Sequence, residues 1–245
     1  MTANEMADEL ELRLDRSFSY GSPGYEDYEL SSVLNQALAH YVKTFYSEKN
    51  NRKGHGFEES EVRNQGLAEL IKNSASSLSA SQVGVLRNGA FYDLPQDFMY
   101  TILETVEVNI LDCDNNNKLI DVEVTSHDEH NRVKGNKYRR ASGNIIEPRV
   151  LRIGFSRTTS TYSSTGTVKR HELITDGSFN IVNYTMRYLT NPPEIIVDRS
   201  TTVNQRSCIL DESTHNVIID TARDIMLGIV KEQKAQNETD LKDLE

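Results

Sequence analysis

The stretch that decides the fold lies between residues 181 and 230: Ile181-Val-Asn-Tyr-Thr-Met-Arg-Tyr-Leu, Asn191-Pro-Pro, Glu194-Ile-Ile-Val-Asp, Cys208-Ile-Leu, then Asp211-Glu-Ser-Thr-His-Asn-Val-Ile-Ile-Asp-Thr-Ala-Arg-Asp-Ile-Met-Leu-Gly-Ile-Val. The first segment is rich in β-branched and aromatic residues and reads as a strand. The prolines stop it, because proline lacks a ladder N–H and restricts the residue before it. Glu194 to Asp198 reads as a second, shorter strand. The period then changes: Ile218, Ala222, Ile225 and Ile229 fall at helical spacing, with Ile219, Met226 and Val230 as an adjoining stripe. Asp211, Ser213 and Thr214 are candidate caps, and Lys231 and Lys234 suit the negative end of the helix dipole. So wide an apolar face needs partners, and the other long helical patterns lie at the opposite end of the chain.

Working outward, Thr2-Ala-Asn-Glu5 has capping-box spacing, and Ala3, Met6, Ala7, Leu10 and Leu14 continue it at helical period. Ser22-Pro23 reads as the cap of a second helix whose apolar face is Leu30, Val33, Leu34, Ala37, Leu38, Tyr41, Val42 and Phe45. A third helical pattern, Val62, Leu67, Leu70 and Ile71, is interrupted by Gly66. From Ala75 the character becomes β. Gly89 to Pro95 reads as a strand closed by proline, Val106 to Leu111 and Leu119 to Val124 as a hairpin, and Val150 to Phe155 and Glu172 to Ile174 as further strands. Ser126 to Asn136 reads as a short polar helix. The expected fold is α+β, with N-terminal amphipathic helices packed with a C-terminal helix and an inserted antiparallel β domain. The expected boundaries are 1–74 for the bundle, 75–207 for the β-rich insert, 208–236 for the returning helix and 237–245 for an acidic disordered tail.

At 245 residues and 37% hydrophobic content the chain can bury a sizeable core. It has no run of about 18 apolar residues and opens on an acidic rather than a basic leader, so no membrane role is expected. Cys113 and Cys208 are too few and too far apart for a disulfide framework and read as reduced thiols. A formal charge of −10 argues against indiscriminate nucleic-acid binding, but the charge is unevenly spread. Residues 1–48 carry nine acids against three bases, while residues 131–157 carry eight bases against Glu147 alone. Such separation favours docking between unlike surfaces, as against two solvated faces of a monomer. Arg132, Lys134, Lys137, Tyr138, Arg139, Arg140, Arg149 and Arg152 are therefore the candidate partner-binding residues, with Tyr138 as an apolar anchor.

Three constellations invite a chemical reading. Asp112, Asp114, Asn116 and Glu123 match the one, three, five and twelve positions of a calcium loop, yet Asn117 stands where glycine belongs and Lys118 brings a positive charge. A tight asparagine turn explains the same residues without metal. His127, Glu129, His130 and His171 would be the ligands and acids of a metal hydrolase, but a polar turn accounts for the first three. His215 near a helix start reads as a capping or packing residue. No catalytic elbow, P-loop or His-Glu-x-x-His is present, so neither enzyme activity nor a cofactor is expected. The competing classes are a calcium- or carbohydrate-binding β module and, behind it, a metal-dependent hydrolase.

Several stretches, taken in order, resemble the head-to-tail ring or adaptor proteins of crAss-like tailed bacteriophages. They are Met6-Ala-Asp-Glu-Leu-Glu-Leu, Gly24-Tyr-Glu-Asp-Tyr-Glu-Leu, Tyr92-Asp-Leu-Pro-Gln-Asp-Phe, His127-Asp-Glu-His-Asn-Arg, Asn136-Lys-Tyr-Arg-Arg, Asn183-Tyr-Thr-Met-Arg-Tyr-Leu-Thr-Asn-Pro-Pro and Cys208-Ile-Leu-Asp-Glu-Ser-Thr-His-Asn-Val. Lys137, Ala141 and Asp211 depart from the pattern, where prolines are usual. The resemblance implies a non-enzymatic virion subunit, made in the host cytoplasm, in a neck ring of twelve copies. It further implies the portal and other neck rings as neighbours, and phage DNA passing without sequence-specific binding.

Overall fold

The computed structural model describes residues 1–17, 24–46, 61–74, 80–84, 86, 88–110, 117–144, 147–157, 169–201 and 203–242. The helices are α1 (Ala3–Ser17), α2 (Asp27–Tyr46), α3 (Glu61–Leu67), α4 (His127–Val133) and α5 (Glu212–Lys242). The strands are β1 (Ile71–Asn73), β2 (Ala80–Val83), β3 (Gly89–Asp93), β4 (Phe98–Ile110), β5 (Asn117–Thr125), β6 (Val150–Arg157), β7 (Lys169–Ile174) and β8 (Phe179–Thr190). The fold is α+β, as the change of period implies. Two compact units divide it: Met1–Leu70 with Pro192–Glu245, and Ile71–Asn191.

In the helical unit, Thr2 N donates to Glu5 Oε2 at 2.8 Å and Glu5 N donates to Thr2 Oγ1 at 3.3 Å, a reciprocal capping box that starts α1. Helix α1 buries Ala3, Met6, Ala7, Leu10 and Leu14, and α2 buries Leu30, Val33, Leu34, Ala37, Leu38, Tyr41 and Val42. Both pack on α5, which buries Ile218, Ile219, Ala222 and Met226 and leaves Ile225 half-buried. The side chain of Ile229 lies outside the described residues. Asp211 caps α5, its Oδ1 accepting from Ser213 N at 3.0 Å. That helix continues to Lys242, past residue 236 where a disordered tail was expected.

Three local expectations are corrected. Helix α2 opens at Asp27, with Glu26 N donating to Glu29 Oε2 at 3.0 Å; Ser22 and Pro23 lie outside the described residues. The third helix ends early, since Ile71 begins β1, and Val62 is 75% exposed while Leu67 and Leu70 are buried. Gly66 is there for space: a Cβ on it would stand 2.5 Å from the Tyr41 hydroxyl. Glu194 to Asp198 is not a full strand: Ile196 makes a single bridge to Arg206, and side chains of α1 and α2 bond the backbone of Ile195, Val197 and Asp198 in place of a second ladder. Asn35 accepts from Ile195 N (2.8 Å) and donates to Ile195 O (2.9 Å), Ser31 Oγ accepts from Val197 N (2.9 Å), and Asn4 brackets Asp198 in the same two-way fashion. Arg199 then clamps the segment to Asp8 at 2.9 Å and Glu11 at 3.0 Å.

The second unit is a sheet in the order β1-β8-β4-β5-β6-β7-β3-β2. Its neighbours pair antiparallel except β5 and β6, which run parallel because α4 and the segment after it carry the chain back to the starting end of β5. The hairpin has Val106 opposite Ile120 and Thr105 opposite Asp121. The sheet curls. Strands β3 and β8 stand five places apart in the order, roughly 24 Å if flat at about 4.8 Å per strand, yet the Tyr92 and Tyr184 rings are 5.3 Å apart. Inside the curl, Tyr92, Val106, Val108, Val150, Leu173, Phe179 and Tyr184 form one core. Outside β6 and β7, Val133 of α4 and Ala141 cover Leu151, Ile153 and Ile174.

Candidate assembly surface

Strand parity sorts the charged residues into those that face the core and those that face out. On β4 the residues Val106 and Val108 point inward, so Glu104 does too, and on β6 Arg152 shares the face of Val150. Arg152 Nε donates to Glu104 Oε2 at 2.6 Å, and Tyr184 OH donates to Glu104 Oε1 at 2.7 Å. His171 Nδ1 lies 2.9 Å from Glu104 Oε1 and 2.8 Å from the Tyr184 hydroxyl, while its Nε2 faces Arg152 Nη1 at 3.4 Å. A guanidinium only donates, so Nε2 is the acceptor and the imidazole is neutral with its proton on Nδ1. Burial lowers the His171 pKa, and the Arg152 charge adds to it against the pull of Glu104. Burial pushes the Glu104 carboxyl up, but His171, Arg152 and Tyr184 outweigh it and hold it below its ordinary value. Arg152 is thus a structural ion-pair partner, 7% exposed, and not a partner-binding residue as its place in a basic run suggested.

The rest of the basic run is on the surface. Ser126 caps α4, its Oγ accepting from Glu129 N at 3.1 Å, and α4 packs on β6 through Val133. Arg132, Lys134, Lys137, Tyr138, Arg139 and Arg140 are all exposed, Tyr138 at 77%. Arg139 Nη2 meets Glu129 Oε1 at 3.0 Å, and half-buried Arg149 meets Glu147 at 3.3 Å. Arg132, Lys137 and Arg140 have no carboxylate partner among the described residues. The structure gathers six of the eight candidates into one outward patch and removes Arg152 from it, with Arg149 at the margin.

The other candidates are placed as follows. Asp112, Asp114 and Asn116 lie outside the described residues; Glu123 is exposed on β5, between Val122 and Val124, which pair with Val150 and Arg152. Residues 117–123 are therefore strand, unlike the second half of a calcium loop that leads into a helix. His127 and His130 stand on α4 outside the sheet, whereas His171 is fully buried inside it. Among the described residues, no three His, Cys, Asp or Glu side chains gather as a metal site. His215 is a packing residue: it is buried and its Nε2 donates to Leu210 O at 3.0 Å.

The family model for phage tail ring protein 3/4 matches residues 1–240. The chain belongs to that family. It is a bacteriophage ring protein, a structural component of the virion. Two relatives from Bacteroides phage crAss001 are similar along most of their length. "Ring protein 4/5" is 26% identical over 198 residues, 80% of this chain and 75% of the relative. "Ring protein 3" is 26% identical over 217 residues, 84% of this chain and 85% of the relative. Equal identity to two different ring proteins ties this chain to their kind rather than to either one. Among the described residues no helix of this ring protein is long and apolar enough to cross a membrane.

Proposed function

We propose that the chain is a non-enzymatic subunit of a closed ring of twelve copies in the virion neck, joining the capsid portal to the tail around the path by which DNA leaves. The observation that carries this reading is the family match over residues 1–240, with relatives that are themselves ring proteins. The charge distribution fits it. A closed ring is a head-to-tail assembly in which each subunit offers two different patches, and a segment dense in bases within a chain of net charge −10 supplies one of them. The same negative balance lets DNA pass without sequence-specific binding. The portal and other neck rings are the remaining neighbours.

The exposed patch from Arg132 to Arg140 serves assembly in this reading. Replacing Arg139 and Arg140 with glutamate leaves the purified chain folded, because both are exposed, and blocks its incorporation into particles. Normal incorporation of the double variant would contradict the assembly role.

A further inference from the structure

The β unit carries a second exposed patch, opposite in sign to the first. Beside the β6 and β7 wall that α4 covers, the outer face of β8, β4 and β5 carries the exposed residues Leu103, Leu119, Asp121, Glu123 and Arg187. Its rows follow from the register: Leu119, Glu107 and Asn183 lie side by side, then Asp121, Thr105 and Thr185, then Leu103 beside Arg187. Glu123, two residues beyond Asp121, shares the face. Leu103 is 51% and Leu119 67% exposed, so two large apolar side chains stand in water, Leu119 beside Glu107 and Leu103 beside Arg187. Glu107 is held by Asn117 at 2.9 Å and by Asn183, but among the described residues the carboxylates of Asp121 and Glu123 have no hydrogen bond or ion pair. In the sheet order this face adjoins the α4-covered wall at β5, where Glu123 pairs with Leu151 of β6, so the basic and acidic patches are neighbouring, non-identical surfaces of one unit.

We propose that the partner of the Arg132 to Arg140 patch is the outer β8-β4-β5 face of a second copy of this chain, so that β units join head to tail around the ring. The inference rests on the ring reading and names the surfaces that close it. Unpaired bases Arg132, Lys137 and Arg140 meet unpaired acids Asp121 and Glu123, and Tyr138 covers the bare Leu119 and Leu103. Guanidinium groups fork onto carboxylates, and a tyrosine supplies apolar area with a polar tip. Two different patches of one unit give a heterologous contact, which closes into a ring when the rotation between copies divides a full turn.

The test is charge reversal with rescue in assembled phage. Asp121→Lys with Glu123→Lys, and separately Arg139→Glu with Arg140→Glu, are each expected to lower incorporation into purified particles about tenfold or more. Carrying all four substitutions restores most of it. Independently, Leu119→Cys together with Tyr138→Cys yields a disulfide ladder of this chain in particles, while neither cysteine alone does. Normal incorporation of the acid-face pair, absence of rescue together with absence of the ladder, or DNA binding by the purified chain that the Arg139 and Arg140 reversals abolish would each overturn the pairing. Absence of the wild-type chain from particles would instead overturn the ring reading beneath it.

Discussion

Glu104 holds the interior of the β unit together by accepting from Arg152 and Tyr184 and facing the protonated nitrogen of His171. Removing one member of such a buried set leaves another charge uncompensated. Arg152→Leu is expected to destabilise by about 3–5 kcal/mol, read as a shift in the urea midpoint. The pH dependence has a definite sign. His171 has its pKa lowered from 6.5, so its contribution is full above that value and is lost as pH falls toward the folded value. Glu104 has its pKa lowered from 4.5, so its contribution is present above that value and is lost on further acidification. Urea midpoints at falling pH from 7.5 to 4 should therefore decrease, and a rising midpoint would contradict the network. Its burial was legible in part: Val106 and Val108 mark the inward face of β4, and an acid two residues earlier is a polar group at a core position. Arg152 was misread because charge density along the chain ignores the alternation that sets it beside Val150.

At the scale of elements, the closing helix is the one on which α1 and α2 depend. Ala222 is fully buried there, and Ala222→Asp is expected to cost several kcal/mol, enough to unfold the chain at moderate temperature. A melting temperature equal to wild type would mean that α5 does not share the core of α1 and α2. Gly66→Ala drives a methyl group against the Tyr41 hydroxyl and is expected to cost about 1–3 kcal/mol by overpacking, whereas helix propensity alone would make it stabilising. Helix faces were legible because they obey a period: each of Ala3, Met6, Ala7, Leu10 and Leu14 is buried. Glu194 to Asp198 was not, because its apolar run Ile195, Ile196 and Val197 is that of a short strand while, apart from the bridge of Ile196 to Arg206, its partners are Asn35, Ser31 and Asn4, more than 150 residues away in sequence. The parallel pairing of β5 with β6 was equally hidden, since the direction of a neighbour depends on the path of the intervening chain.

At the scale of the whole molecule, family membership and the separation of charge point the same way. Nine acids in the first 48 residues and an exposed basic patch around Tyr138 are unlike surfaces of the kind that the proposed assembly would bring together, and matching over residues 1–240 leaves little of the chain outside the ring-protein family. The most direct test is electron cryo-microscopy of purified virions carrying this chain. The account predicts its density as a closed ring between the portal and the tail, with twelve equivalent copies surrounding the DNA channel. Virions in which the chain is missing, or is found away from the neck, would contradict it.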